Sequence, residues 1–175
     1  MRVTAEVLGA WVIKCNPAMT DFGSILQSGR GISAWCVADN YRSALMDASQ
    51  PVVLWVSGRR GGEFARGIWG IGRVRAPAML QMTPVLQMTP GSQMTAVSQM
   101  TPGSQMTPPG SEPAVRSRHA KLVAQLDIPV RKSPIAVCEI AAVPALSGIE
   151  VIRQPYMSNP SWLSKDEFAA LDVLL

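Results

Sequence analysis

Apolar segments alternate with polar and glycine-containing ones at the start of the chain. Residues 10–14 (AWVIK) form a short apolar run rich in strand-forming residues, which predicts a strand. Asn16 and Pro17 then indicate a helix start, because asparagine caps helices and proline fits their first turn. The helix should end at Gly29, and residues 32–37 (ISAWCV) predict a second extended segment.

The clearest strand follows a short polar stretch. Asp39 or Asn40 can cap a short helix that runs to Asp47. Residues 51–58 (PVVLWVSG) then form a nearly continuous apolar run. Such a run is typical of a strand that is buried on both faces of a sheet, so we expect structure to cover the sheet on both sides.

Glycines mark the next connection and the strand after it. Residues 58–67 (GRRGGEFARG) are typical of a hairpin connection, and residues 67–74 (GIWGIGRV) predict the return strand. The glycines at 67, 70 and 72 weaken this strand, but they allow another backbone to approach closely or the sheet to bend. We therefore expect a curved sheet.

Residues 81–110 are five hexapeptides that each begin with Gln-Met-Thr, and they contain no charged or aromatic residue. Their prolines block helices and pairing in central strands. A hexapeptide β-helix is the structured alternative, but its turns need regular β-branched inward positions, which these repeats lack. We predict a flexible, partly extended insertion that interrupts a single domain spanning residues 1–175.

After the repeats, the pattern predicts two strands, a loop and a final helix. Residues 121–128 (KLVAQLDI) and 133–143 (SPIAVCEIAAV) are the strand segments. Ser164 and Glu167 have the spacing of a capping box, which predicts a helix that continues to Leu174. Five or six strands with short peripheral helices indicate an α+β fold built on a small barrel-like sheet.

The net charge of +4 lies entirely before residue 81. Arg59, Arg60 and Arg66 flank the glycines of the hairpin connection. Guanidinium groups make charge-assisted, bidentate hydrogen bonds to phosphates, so these arginines are candidates for contacts with a nucleic-acid backbone. A solvated hairpin tip is the alternative interpretation.

The residues that catalysis and metal binding require are sparse. The three cysteines are widely spaced, and the one histidine, His119, cannot complete a local zinc-ligand set. His119 also follows the repeats between two arginines, a poor place for a catalytic base. We expect no catalytic residue, no metal and no cofactor. The odd number of cysteines and the absence of a long apolar run favour a cytoplasmic setting without a membrane.

Five tryptophans stand out in a chain of this length. Trp55 and Trp69 lie within strand patterns, and Trp11 and Trp162 are also typical of packing residues. Trp35 differs, because it ends a short extended segment beside a polar turn, where an indole can present its face to a pocket.

Several motifs follow one another in a fixed order outside the repeats. They are a strand ending in lysine and a small polar residue, a Trp-Cys pair, an asparagine-bearing helix, a strand ending in serine and a glycine-marked return strand. The residues that carry them are Lys14, Cys15, Asn16, Trp35, Cys36, Asn40, Ser57 and Gly70. This order resembles the EVE family and its sister YTH domains, both in the PUA-like superfamily.

The resemblance implies a PUA-like barrel with a pocket for an unstacked, modified base. Trp35 would be one wall of an aromatic cage, the backbone of Cys36 would accept from the base amine, and Asn16 would bond a ring nitrogen. In YTH domains the second wall follows the glycine-marked strand, where this chain has its aromatic-free repeats. The alternatives for this chain are that another residue closes the pocket, that a methionine closes it, or that the cage is open. The other candidate ligand-binding residues are Lys14, Asn40 and Ser57.

The resulting hypothesis is a non-catalytic reader of a methylated or hydroxymethylated base in DNA or RNA. A domain that binds a small metabolite or a free nucleoside in the same pocket is one alternative, and its binding would not depend on salt. A protein-interaction module whose repeats recruit a partner is the other.

Overall fold

The described part of the protein is a mixed seven-stranded sheet with short helices. The computed structural model describes residues 2–58, 61–82 and 120–175. The strands are β1 (Leu8–Cys15), β2 (Ile32–Val37), β3 (Pro51–Val56), β4 (Gly67–Met82), β5 (Ala120–Ile128), β6 (Val130–Ala136) and β7 (Ser161–Ser164). The α-helices are α1 (Phe22–Ser28), α2 (Val137–Ala142), α3 (Glu150–Arg153) and α4 (Lys165–Ala170), and short 3-10 helices cover Ser43–Leu45 and Leu171–Leu174. The α+β class predicted from the sequence is confirmed.

The strands pair in the order β2-β5-β4-β3-β1-β7, and β6 also pairs with β4. β1 and β3 are parallel neighbours, and their last residues, Cys15 and Val56, lie opposite each other. Parallel neighbours need a crossover connection, which α1, β2 and the first 3-10 helix supply here. The carboxyl ends of β1 and β3 therefore lie side by side at one edge of the sheet.

Both faces of the sheet carry an apolar core, because side chains alternate along a strand. In β1, Trp11, Ile13 and Cys15 belong to one cluster of buried residues, whereas Ala10 and Val12 belong to the other. The first cluster includes α1, and the second includes α2, α3 and the C-terminal helices. The predicted burial of β3 on both faces is confirmed, since every residue after its first is at most 1% exposed.

The glycines of β4 allow another backbone to approach closely, as the sequence predicts. A Cβ atom on Gly72 would overlap the carbonyl oxygen of Asp127, and one on Gly67 would overlap that of Ile135. On Gly70 it would lie 2.5 Å from a carbonyl oxygen. Packing against β5 and β6 thus excludes a side chain at these positions.

The prediction that Asn16 and Pro17 start a helix is wrong. These residues form a turn, and α1 begins at Phe22 with Asp21 as its cap. The Asp21 carboxylate accepts the backbone N–H of Ser24 at 3.0 Å and the Ser24 hydroxyl at 2.6 Å. Asp21 accepts two hydrogen bonds and is therefore the better cap for α1, whereas Asn16 closes the turn that precedes the helix. The predicted helix end at glycine is confirmed by a left-handed C-cap.

Two further local predictions are corrected. The helix expected from Asn40 to Asp47 is a single 3-10 turn. The strand expected over residues 133–143 ends at Ala136 and continues as α2. At the start of α2 the Glu139 carboxylate accepts the backbone N–H of Ala136 at 2.7 Å, which satisfies one free donor of the first turn.

The strand pairings among the described residues do not close the sheet into the predicted barrel. β2 and β7 remain edge strands, and a 2.8 Å backbone hydrogen bond from Ala38 to Asn159 links the segments beside them. The sheet has seven strands instead of five or six, partly because the segment read as the final loop contains the start of β7.

Several predictions fall on residues outside the described ranges. Arg59, Arg60 and His119 are among them, as is most of the repeat tract 81–110. The first two residues of that tract belong to β4. The proposals that involve these residues remain predictions.

The predicted capping box at the C-terminal helix is confirmed. Ser164 Oγ accepts the backbone N–H of Glu167 at 3.2 Å, and the Glu167 carboxylate accepts the N–H of Ser164 at 2.7 Å. α4 then leads into the last 3-10 helix. None of the helices in the described ranges has the length and apolar composition that crossing a membrane requires.

Candidate functional site

A cleft of about 830 Å³ opens where the parallel strands β1 and β3 end. Cys15 and Val56 are paired at the strand ends, so Asn16 and Ser57 emerge next to each other. Ligands commonly bind beyond the carboxyl ends of parallel strands. The described residues that line the cleft are Asn16, Pro17, Ala18, Ser57, Gly58, Gly62, Glu63, Phe64, Arg66, Pro155 and Tyr156. Three predicted site residues, Asn16, Ser57 and Arg66, are therefore brought together.

The two polar residues after the strands have different roles in the local structure. Ser57 donates its backbone N–H at 2.8 Å and its hydroxyl at 3.1 Å to the carbonyl oxygen of Cys15, which fixes the end of β3 to β1. Asn16 accepts the backbone N–H of Ala18 through Oδ1 at 3.1 Å. Its Nδ2 makes no hydrogen bond within the described ranges, so the exposed Asn16 amide can donate to a ligand.

The connection between β3 and β4 contributes an aromatic and a basic side chain. The Phe64 ring packs edge-on against Phe22, with centroids 5.1 Å apart, and against Trp69 at 6.1 Å. The Trp69 indole donates to the Ala65 carbonyl oxygen at 2.8 Å, which fixes this segment. Arg66 Nε is buried without a hydrogen-bond partner among the described residues. Because Arg66 also lines the cleft, its guanidinium charge would attract an anionic group bound there.

Lys14, a predicted ligand-binding residue, binds the loop between α3 and β7. Its ammonium group donates to the carbonyl oxygens of Pro155, at 3.2 Å, and Met157. The Asn159 side chain accepts the backbone N–H of Lys14 at 2.7 Å and donates to the backbone carbonyl oxygen of Lys14 at 3.0 Å. Partial burial lowers the pKa of the Lys14 ammonium group, and nearby Glu150 opposes this effect.

Trp35, Cys36 and Asn40 are not among the described residues that line the cleft. Trp35 is half-buried on β2, opposite Ala124 of β5, and packs against the first core cluster. Cys36 is exposed. The Asn40 side chain accepts the backbone N–H of Arg42 at 2.9 Å and so caps the 3-10 turn. Of the predicted site residues, Asn16, Ser57 and Arg66 line the cleft and these three do not.

A buried ion pair lies at a second, smaller cavity of about 300 Å³. Arg42 Nη1 and Nη2 each donate to one carboxylate oxygen of Glu150 at 2.8 Å, and Nη1 also donates to the Pro160 carbonyl oxygen at 3.3 Å. Trp162 lines the same cavity, and its buried Nε1 has no hydrogen-bond partner within the described part of the chain. Because the two buried charges neutralise each other, this cavity is the weaker candidate for a charged ligand.

Within the described residues, the titratable side chains that line the large cleft are those of Glu63, Arg66 and Tyr156. Burial raises the pKa of the Cys15 thiol to about 11, so it stays protonated at neutral pH and is a poor nucleophile. No group of three His, Cys, Asp or Glu side chains in residues 2–58, 61–82 and 120–175 could hold a metal ion. The arrangement favours binding by hydrogen bonds, stacking and charge.

Sequence reasoning missed Phe64, Tyr156 and Asn159. Phe64 and Tyr156 lie in segments read as a turn and a loop, and an aromatic residue within a polar loop is the signal that could have identified them. Asn159 gave no signal, because its partner Lys14 is 145 residues away in the chain. Hydrophobic periodicity does not report contacts of that range.

The described fold is similar to several solved structures, although neither a protein-family model nor a curated protein matches the chain. A hypothetical protein from Leishmania major is 15% identical with a TM-score of 0.58, and the match covers 98% of this chain and 96% of that chain. A protein from Pseudomonas putida is 12% identical with a TM-score of 0.58, covering 94% and 98%. One from Rhodopseudomonas palustris is 13% identical with a TM-score of 0.51, covering 93% and 89%. These likenesses show an α+β fold alone, since the names state no activity.

Proposed function

We propose that this protein is a non-catalytic reader that binds a modified nucleobase of DNA or RNA in the cleft at the ends of β1 and β3. The observation that carries the proposal is that Asn16, Phe64 and Arg66 line the same cleft. They supply a hydrogen-bond donor for a base edge, an aromatic ring for stacking and a guanidinium group for a phosphate. A cleft of about 830 Å³ is within the range of about 300–1,000 Å³ that is usual for ligand sites.

The energetics of such binding favour an accessible base. Extruding a base from a duplex costs a few kcal/mol. Stacking on an aromatic side chain contributes roughly 1–3 kcal/mol per base, which about offsets that cost. Hydrogen bonds to the base edge and contact with the modifying group then decide the selectivity. We therefore expect single strands to bind more tightly than duplexes of the same sequence.

The remaining predicted site residues have defined places in this proposal. Arg59 and Arg60 would contact phosphates beside Arg66. Trp35 and Cys36 remain candidate ligand contacts, because the resemblance to EVE and YTH domains assigns them to the pocket. A relationship to the PUA-like superfamily is part of the same proposal.

The test is a titration of the protein with short single-stranded oligonucleotides. Each carries one methylcytosine, hydroxymethylcytosine or methyladenine, and unmodified strands are the comparison. We expect one modified base to bind at least about tenfold more tightly than its unmodified counterpart, a difference of about 1.4 kcal/mol. The affinity should fall with added salt, because phosphate contacts release counterions.

Matched arginine variants separate phosphate contacts from general charge. Arg66→Gln should weaken all oligonucleotides alike and reduce the slope of log affinity against log salt by about 0.7, the value for one phosphate of a single strand. Arg131→Gln removes an exposed arginine that does not line the cleft and should change neither. Trp35→Phe tests the contact implied by the resemblance.

Two results would contradict the reader function. The first is equal, weak affinity for all oligonucleotides that neither Arg66→Gln nor Trp35→Phe changes. The second is salt-independent binding of free modified nucleosides with no gain from flanking phosphates. That second result would favour the alternative function, a small-molecule binding domain that uses the same cleft.

A further inference from the structure

Tyr156 is a fully exposed aromatic residue at the cleft. It lies in the loop between α3 and β7, lines the cleft and is 99% exposed. Single exposed apolar residues are common and need no explanation by themselves. Tyr156 differs because it combines full exposure with a place at a cleft that also contains Phe64, Asn16 and Arg66.

The backbone on both sides of Tyr156 is held in place. The Lys14 ammonium group donates to the carbonyl oxygens of Pro155 and Met157, the two residues next to Tyr156 in the chain. The Met157 N–H donates to the Gln154 carbonyl oxygen at 3.2 Å, which closes a turn around the same residue. Hydrogen bonds to a charged donor are about twice as strong as neutral ones, so this attachment is a firm one.

A second anchor fixes the loop three residues further along. The Asn159 side chain makes two hydrogen bonds with the peptide groups of Lys14, at 2.7 and 3.0 Å. The Asn159 carbonyl oxygen also accepts the Ala38 N–H at 2.8 Å. The loop is therefore bound to the end of β1 and to the segment after β2. These contacts hold the backbone but leave the Tyr156 ring exposed. A fixed backbone with a free aromatic ring is an arrangement that lowers the entropy cost of binding.

We infer that Tyr156 stacks on the bound base in addition to Phe64, and that Lys14 is the residue that positions Tyr156. This inference rests on the proposed reader function and adds to it a stacking residue from the C-terminal part of the chain. It also gives Lys14 a different role from direct ligand contact, because its ammonium group is occupied by the two loop carbonyls.

Three substitutions test this assignment by affinity. Tyr156→Ala should weaken binding of the preferred modified oligonucleotide by about 5- to 150-fold, as expected for the loss of one stacked aromatic ring. Tyr156→Phe keeps the ring and should stay within about twofold of the wild type. Neither variant should lower stability, because the side chain is exposed. Lys14→Met keeps the aliphatic chain and removes the two donated hydrogen bonds, and Lys132→Met is the control at an exposed lysine on β6.

Fluorine NMR of protein labelled with 3-fluorotyrosine reports on the ring directly. The chain has two tyrosines, Tyr41 and Tyr156, so two signals are expected. Tyr156→Phe assigns them by removing one. The Tyr156 signal should shift on addition of the modified oligonucleotide, while that of Tyr41, which is not among the residues that line the cleft, should not. Lys14→Met should move the Tyr156 signal in the free protein, an effect that a change in overall stability alone would not cause.

The outcomes separate this inference from the proposed function. If oligonucleotides bind with the expected salt dependence but the Tyr156 signal does not shift and Tyr156→Ala binds like the wild type, the stacking assignment is wrong and the reader function stands. If Lys14→Met leaves the Tyr156 signal and the affinity unchanged, the positioning role of Lys14 is wrong. If no oligonucleotide binds the wild-type protein, both the function and the inference are overturned.

Discussion

The buried ion pair between Arg42 and Glu150 gives the sharpest prediction about stability. The side chains of Arg42 and Glu150 are 9% and 11% exposed, and two hydrogen bonds of 2.8 Å join them. Glu150→Gln keeps the shape of the side chain but leaves a guanidinium charge buried without its counterion. Removing one partner of a buried pair typically costs about 3–5 kcal/mol. We expect a loss near 3 kcal/mol, because glutamine retains one acceptor oxygen.

The chain contains a matched control for this prediction. Arg75 and Asp127 also approach to 2.8 Å, but their side chains are 68% and 60% exposed. An exposed pair contributes about 0–1 kcal/mol, so Asp127→Asn should have little effect. The two substitutions make the same chemical change at the same donor–acceptor distance. A difference between them therefore measures the effect of burial together with that of the second hydrogen bond in the Arg42 pair.

The assay is urea unfolding followed by tryptophan fluorescence, with the free energy of unfolding extrapolated to water. Glu150→Gln should lower the transition midpoint with an unchanged slope, and it should lower the melting temperature by roughly 6–12 °C. Replacing both residues, as in Arg42→Met with Glu150→Met, should recover most of the loss, because no buried charge remains. A loss for Glu150→Gln no larger than for Asp127→Asn would refute the reasoning.

Three further predictions concern packing, titration and capping. Gly72→Ala should lower the free energy of unfolding in urea by at least about 2 kcal/mol, because its Cβ would overlap a backbone oxygen. Gly148→Ala is the control and should be neutral or slightly stabilising, because nothing lies within 4 Å of its Cβ. A thiol-alkylating reagent at neutral pH should modify the exposed Cys36 and leave Cys15 unmodified by mass spectrometry. Because the pKa of Cys15 is about 11 in the folded protein, against an ordinary 9.0, its contribution to stability should be complete below pH 9 and should fall as the pH rises towards 11. Ser164→Ala should cost about 1 kcal/mol in the same unfolding assay, through loss of the cap on α4.

The parts of the fold that the sequence predicts are those set by local patterns. The apolar run of β3 indicated burial on both faces, and its residues after the first are at most 1% exposed. The glycines of β4 indicated a close backbone approach, which their contacts with β5 and β6 confirm. The spacing of Ser164 and Glu167 identified a capping box, because both partners lie within one turn.

Features that depend on distant contacts were not predictable in this way. The pair of Arg42 and Glu150 joins residues 108 positions apart. Asn159 holds the end of β1 from 145 positions away. None of these contacts produces a periodic pattern of hydrophobic residues in the sequence.

The candidate site was predictable only in part, for the same reason. Asn16 and Ser57 follow two strands that prove to be parallel neighbours, so their shared position comes from topology. Arg66 joins them, whereas Trp35 does not line the cleft within the described residues. The aromatic residues that do line it, Phe64 and Tyr156, lie in connections whose course a sequence pattern does not determine.

The most direct test of the central claim is to locate the bound oligonucleotide on the protein by amide NMR. Labelled protein is titrated with a short single strand that carries the modified base it binds best. We predict that shift changes concentrate at the amides of Ala18, Ser57, Gly58 and Gly62, which line the cleft. The Glu167 amide at the smaller cavity serves as the reference. Changes centred on that cavity, or scattered over the surface without saturation, would contradict the claim that the ends of β1 and β3 form the binding site.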